Sequence, residues 1–126
     1  MEPLVIQAKE DTPGITMDPG AGKFEVTGKS LPEDVATFYA PVLEWLDNYK
    51  SDPLPKTVVE FRLTYFNTAS SKIIMDIMVK FEELMEAGNE VMIKWYYPDD
   101  DEDMQEAGEE YEELVEVPFE HIPYED

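Results

Sequence analysis

No cysteine occurs in the 126-residue chain, and histidine occurs once. The first absence excludes a disulfide framework, a thiol nucleophile and any cysteine-ligated zinc or iron–sulfur centre, and it fits a reducing compartment. The second leaves too little imidazole for a histidine-based triad or a multi-histidine zinc site. The lone His121 lies between Glu120 and Ile122 near the C-terminal end, where a surface role is the ordinary one. Basic side chains are also scarce, with 9 Lys and Arg against 30 Asp and Glu, a net charge of −21. That balance provides no basic footprint for nucleic acid and no attraction to an anionic membrane surface. No apolar run approaches the roughly 20 residues of a membrane span. The opening "MEPLVIQAKED" has no basic segment ahead of a long apolar stretch, unlike a signal peptide. A cytoplasmic protein without membrane contact is the expectation. Phosphate loops are missing too: "GAGKFE" lacks the Walker spacing and runs into a strand pattern.

What is present is a globular composition, 43% apolar and 12% aromatic, on a length suited to one domain spanning residues 1–126. Residues 4–29 read as short strands and turns. "LVIQA" is one candidate strand, and Ile15–Met17 and Lys23–Thr27 are two more, joined by the turn-rich "DPGAG" as a hairpin. "SLPE" sets Ser30 three residues before Glu33, a capping-box spacing that predicts a helix starting near Ser30. Val35, Phe38, Tyr39, Val42, Leu43 and Leu46 continue it with helical period. Pro41 falls inside that pattern, as a kink or as a turn with a fresh start.

"TVVEFRLTYF" (57–66) is the clearest strand. Its alternation puts Val59, Phe61, Leu63 and Tyr65 on one face and Glu60, Arg62 and Thr64 on the other. A helix follows, with Ile73, Ile74, Ile77, Met78, Phe81, Leu84 and Met85 as its stripe and Gly88 and Asn89 as its stop. "EVMIKWYY" (90–97) is the next strand. Strand, helix and strand make a right-handed βαβ unit with parallel strands. Its uncovered face, with Arg62, Lys94 and Tyr96, is either solvated or an interaction surface. The expected fold is α/β, a single domain with a mixed sheet of about five to six strands and about three helices.

From Asp99 to Glu116 there are eleven acids in eighteen residues and no base. The segment predicts an acidic helix over about 101–115, followed by a short strand and a tail at 121–126. Asp99, Asp101, Asp103 and Glu110 imitate positions of an EF-hand loop, but Met104 stands where the loop needs glycine. First-turn acids that suit the helix dipole explain the run more simply. Neither a metal nor another cofactor is expected.

One stretch concentrates small polar groups. In "YFNTASSKII" (65–74) an apolar strand stops, Asn67, Thr68, Ser70 and Ser71 follow, and an apolar helix begins. Such residues cap helices, and one of Asn67, Thr68 and Ser70 is expected to do so. One cap needs only one of the four. The stretch also sits at the C-terminal end of a strand in an α/β unit, where functional loops gather. A hydroxyl there stands beside backbone N–H groups that favour an added anion. Cap and chemistry both remain open on these residues alone.

The chain resembles the SiaC family of bacterial regulatory phosphoproteins from about "TPGI" (12–15) to "PFE" (118–120). The resemblance is carried by "GKSLPED" (28–34), "WLDNY" (45–49), "WYY" (95–97), the acidic "DEDMQEAGEEYEE" and, most specifically, "FRLTYFNTASS" (61–71). It implies a fold like that of the anti-sigma-factor antagonists (STAS-like). It implies phosphorylation of Thr68 by a dedicated protein kinase and dephosphorylation by a PP2C-type phosphatase. It also implies that the unphosphorylated form binds and activates a diguanylate cyclase, in cyclic di-GMP signalling and biofilm control. The expected contact residues are Tyr65, Asn67, Thr68, Ser70 and Ser71, on a protein with no catalytic residues of its own. The contrasting expectation is a constitutive binding or scaffold module in which Thr68 only caps the helix. A calcium titration followed by calorimetry should show no saturable step at micromolar ion; one site of that affinity would restore the EF-hand reading.

Overall fold

A computed structural model describes residues 1–125 of the chain. The order of elements is β1 (Leu4–Ile6), β2 (Gly14–Asp18), β3 (Lys23–Ser30), α1 (Val35–Tyr49), β4 (Lys56–Phe66), α2 (Thr68–Glu86), β5 (Glu90–Pro98), α3 (Glu102–Leu114) and β6 (Phe119–Tyr124). The strands form one six-stranded mixed sheet in the order β1-β2-β3-β4-β5-β6. β1, β2 and β3 pair antiparallel, and β3 to β6 pair parallel. The "DPGAG" hairpin forms as expected, with the Asp18 carboxylate accepting from the Ala21 N–H at 3.2 Å.

All three helices bury their stripes in one core with the inward residues of β2 to β5. Val59, Phe61 and Leu63 meet Ile74, Ile77, Met78 and Phe81 there, each essentially without exposure. α1 and α2 are also tied outside the core. Lys80 donates to Asp47 at 2.7 Å, and Lys50 reaches Glu83 at 3.1 Å. The Lys80 ammonium holds the Asp47 carboxyl below its ordinary value.

Four details differ from the sequence reading. Ser30 does not cap a helix: it ends β3, opposite Phe66, and is fully buried. The α1 cap is Asp34, whose carboxylate accepts from the Thr37 N–H at 3.1 Å and from the Thr37 hydroxyl at 2.9 Å. Of the two outcomes expected at Pro41, the turn with a fresh start does not occur, because α1 runs through it as one helix. The ring lies on the exposed face, so the carbonyl deprived of its partner, that of Thr37, is on the water side.

The third difference is a β-bulge. Gly28 pairs with Leu63, but Lys29 pairs with Tyr65, so Thr64 is an extra residue in β4. A bulge reverses which face the following side chains take. Tyr65 is thereby turned outward, 54% exposed, and Phe66 takes the inward place against Trp95 and Tyr111. Gly28 supplies the backbone freedom across from the bulge, with φ at 96°. The fourth concerns the C-terminal end: residues 121–124 are not a tail but part of the edge strand β6, in register with Trp95 to Pro98 of β5.

The acidic segment is helical as expected, and Trp95 seats it. The indole N–H donates to the Met104 carbonyl at 2.9 Å, and the ring stacks obliquely on Phe61 and Tyr111. Gly108 lies directly on the indole; a Cβ there would stand 2.4 Å from Trp95 Cδ1. The uncovered face of the sheet presents Arg62, whose guanidinium carbon sits 3.7 Å from the Tyr96 ring centre and whose nitrogen reaches Glu60 at 3.2 Å. Gly108→Ala should therefore lower stability by about 1–3 kcal/mol, from overpacking against a fixed aromatic. Urea melts at constant m-value would show it, and an unchanged midpoint would mean that α3 shifts freely on the sheet.

Candidate functional site

The polar stretch lies where β4 hands over to α2, and each of its side chains has a different task. Asn67 is the N-cap: its Oδ1 accepts from the Ser70 N–H at 2.8 Å, and its carbonyl accepts from the Ser71 N–H at 3.0 Å. Asn67 has the extended backbone a cap requires. Thr68 is thus the first residue inside the helix and not its cap, which corrects the expectation that it caps α2. The Thr68 side chain is exposed, and its hydroxyl has no hydrogen-bond partner among the described residues. Ser71 donates its hydroxyl to the Thr68 carbonyl at 2.6 Å.

Ser70 points the other way. It is fully buried, so the surface role expected for it is replaced by an internal one. Its hydroxyl donates to the Ser30 carbonyl at 2.9 Å and accepts from the Ser30 hydroxyl at 2.8 Å. The Ser30 hydroxyl is also 2.6 Å from the Tyr39 hydroxyl. Each hydroxyl has one proton. With those of Ser30 and Ser70 assigned, Tyr39 is the donor to Ser30. The Ser30 carbonyl takes a second bond, from the Asn67 N–H at 3.3 Å. Burial pushes the Tyr39 phenol up from its ordinary value, which keeps it a neutral donor.

α3 holds the same turn from its other side. The Tyr111 hydroxyl donates to the Ser71 carbonyl at 2.8 Å. Burial raises this phenol strongly as well. The local sequence pattern puts Ser30 at a cap, Tyr39 in an apolar stripe and Tyr111 within an acidic helix. Nothing local marks their hydroxyls as partners, because the contacts span 40 residues for Ser30–Ser70 and for Tyr111–Ser71.

Two adjoining clefts open beside the turn. One, of about 380 Å³, lies between α2 and α3 and is lined by Phe66, Ser71, Lys72, Met75 and Tyr111 among others. The second, of about 280 Å³, is lined by Tyr65, Phe66, Asp101 and Met104 and shares Phe66 and Ala107 with the first. Thr68, Ser71, Lys72 and Met75 follow the three- and four-residue spacing of one helix face, so Thr68 heads the stripe that lines the larger cleft.

Thr68 is an accessible hydroxyl on a firm support, without a side chain among the described residues placed to take its proton. His121 is engaged with Glu112 at 3.0 Å. Of the calcium-like acids, Asp101 accepts from the Met104 N–H at 3.0 Å as the cap of α3, and Glu110 borders the cleft. Among the described residues no three acidic or imidazole groups converge as a metal cage. The arrangement displays the hydroxyl without the hydrogen-bonded base that activates a nucleophile, among the described residues. Likewise, no helix among the described residues is long and apolar enough to cross a membrane.

Comparison with known proteins bears on this site. The family model described as "SiaC family regulatory phosphoprotein" matches residues 6–124. An uncharacterised protein of Pseudomonas aeruginosa strain UCBPP-PA14 is 33% identical over 119 residues, 94% of each chain. Among solved structures, apo-SiaC from Pseudomonas aeruginosa superposes with a TM-score of 0.87 at 32% identity, covering 97% of this chain and 99% of that one. A second match is to the structure of the diguanylate cyclase SiaD in complex with its activator SiaC, from the same organism. There the TM-score is 0.89 at 31% identity, over 96% of this chain and 99% of the matched one. The loss of the cap can be tested directly: Asn67→Ala should cost about 1 kcal/mol of stability, read by thermal or urea unfolding, and Asn67→Asp should be neutral or better at the positive end of the helix.

Proposed function

Because the chain belongs to the SiaC family of regulatory phosphoproteins, we propose that it is a non-enzymatic partner switch controlled by reversible phosphorylation of Thr68. The observation that carries the proposal is the division of labour in the 67–71 turn. Asn67 caps, Ser70 is buried, Ser71 is bonded to the backbone, and Thr68 alone offers a free, exposed hydroxyl. A dedicated kinase adds the phosphate and a PP2C-type phosphatase removes it. The regulated partner is a diguanylate cyclase, by analogy with the complex in which SiaC is the activator of SiaD.

Phosphate adds about −1.5 to −2 charges. At a solvated helix N-terminus this is tolerated, since unpaired N–H groups and the helix dipole favour an anion. Inside a closed interface the same group must be desolvated, which is unfavourable unless a cation waits for it. Dephospho-Thr68 therefore lies within the partner contact, and phosphate opens it. Outward-turned Tyr65, Asn67 and Ser71 complete the contact patch, with the apolar cleft behind Phe66 beside it. Ser70 contributes only through the support it gives.

The test compares Thr68→Ala and Thr68→Asp proteins in binding and activating the cognate cyclase, read by calorimetry and by cyclic di-GMP formation. The Ala form should bind like the wild type, and the Asp form at least about tenfold more weakly, or about 1.4 kcal/mol. Intact mass of wild type incubated with the cognate kinase and ATP should rise by one phosphoryl group, and that of Thr68→Ala should not. Equal binding by the Ala and Asp forms would remove the blocking mechanism.

A further inference from the structure

The turn that carries Thr68 is held from beneath by hydroxyls on three other elements. Ser30 ends β3, Tyr39 lies in the middle of α1, and Tyr111 lies in the last turns of α3. Ser30, Tyr39 and Ser70 are each without solvent exposure, and Tyr111 is 7% exposed. Buried hydroxyls are retained only when their bonds are made, and a completed network of this kind fixes geometry because any displacement leaves several groups unsatisfied together. Here the network is closed. The Tyr39 proton goes to Ser30, the Ser30 proton to Ser70, and the Ser70 proton returns to the Ser30 carbonyl, which also accepts from the Asn67 N–H. The Ser71 carbonyl is bound by Tyr111 from the opposite side.

We propose that Ser30, Tyr39, Ser70 and Tyr111 are positioning residues that lock the 67–71 turn, so that charge added at Thr68 alters the surface without refolding the helix start. This rests on the reading of Thr68 as a phosphosite, but its physical content is separable from it. Helix ends ordinarily fray, and an added charge can order or melt an unanchored first turn. A turn anchored to β3, α1 and α3 has no such freedom. The switch it supports is one of surface charge and desolvation, and the information leaves the molecule at Thr68 without travelling through the core. The same lock keeps Ser70 inside, so that a modifying enzyme meets Thr68 first.

Amide hydrogen exchange by NMR on the full chain tests this without kinase or partner. Ser70, Ser71 and Lys72 amides report the turn, and amides near Phe81 report the body of α2. In Thr68→Glu the three turn amides should exchange within about twofold of wild type. In Tyr39→Phe, which removes a single oxygen, they should exchange about tenfold faster or more while those near Phe81 stay unchanged. Tyr111→Phe, at the rim of the core, should loosen Ser71 and Lys72 in the same way and serves if Tyr39→Phe folds poorly. Turn amides at wild-type rates in the folded phenylalanine variants would overturn the proposal. So would a rise shared equally along all of α2, which marks general destabilisation, or a Thr68→Glu protein whose turn melts. Failure of Thr68 to accept phosphate would remove the proposed switch and leave these exchange rates where they are.

Discussion

A sheet whose last four strands are parallel and sequential in space constrains almost everything else in this molecule. β3, β4, β5 and β6 are added one after another in one direction. Each is joined to the next by a helix, and right-handed crossovers in one direction put every helix on the same side. The single core shared by α1, α2 and α3 is the result. The opposite face is left to residues such as Arg62, Tyr96 and Lys94. All the strand-to-helix junctions also come to the same end of the sheet, so the end of β3, the start of α2 and the body of α3 are neighbours there.

The site depends on that convergence. Parallel strands bring Ser30 opposite Phe66, one residue from the Asn67 cap. Thr64, as an extra residue in β4, then turns Tyr65 out and Phe66 in. Phe66, Trp95 and Tyr111 form one aromatic contact that seats α3 beside α2. Gly108 lets the α3 backbone come down onto the indole, close enough for Tyr111 to reach Ser71. A threonine hydroxyl with no activating neighbour becomes distinctive because the groups around it have been assigned elsewhere. Exposure and the absence of competing bonds, rather than nucleophilic activation, set it apart.

With a net charge of −21, the fold gains little from its surface ion pairs, which are all at least partly solvated among the described residues and contribute modestly. Stability rests on the apolar stripes and on the aromatic cluster about Trp95. On the proposed switch, phosphate at Thr68 adds a negative group to a surface already negative, so its local position matters more than its contribution to the total. In that proposal the group sits on a turn bonded to β3, α1 and α3, beside an apolar cleft.

Periodicity and turn chemistry were enough to read the alternation of strands and helices, the hairpin at 18–22, the stop at Gly88 and Asn89, and the strand-to-helix turn at 66–68. These depend on neighbours in the chain, where side-chain spacing and backbone preference act directly. The same local signals misplaced the start of α1 at Ser30, put Tyr65 on the inner face and left 121–126 as a tail. Each of those outcomes is decided by a partner distant in sequence. Ser30 belongs to β3 because it lies against Phe66 and Ser70. Tyr65 faces out because β3 and β4 slip by one residue at Thr64. Residues 121–124 form a strand because β5 offers a free edge. The sequence by itself therefore determined that a cluster of small polar residues stands at a helix start. Only the tertiary structure decided which of them is buried, because the Ser30 groups that take up the Ser70 hydroxyl lie 40 residues away; with Ser70 held inside, the local bond from its N–H makes Asn67 the cap and Thr68 is left free.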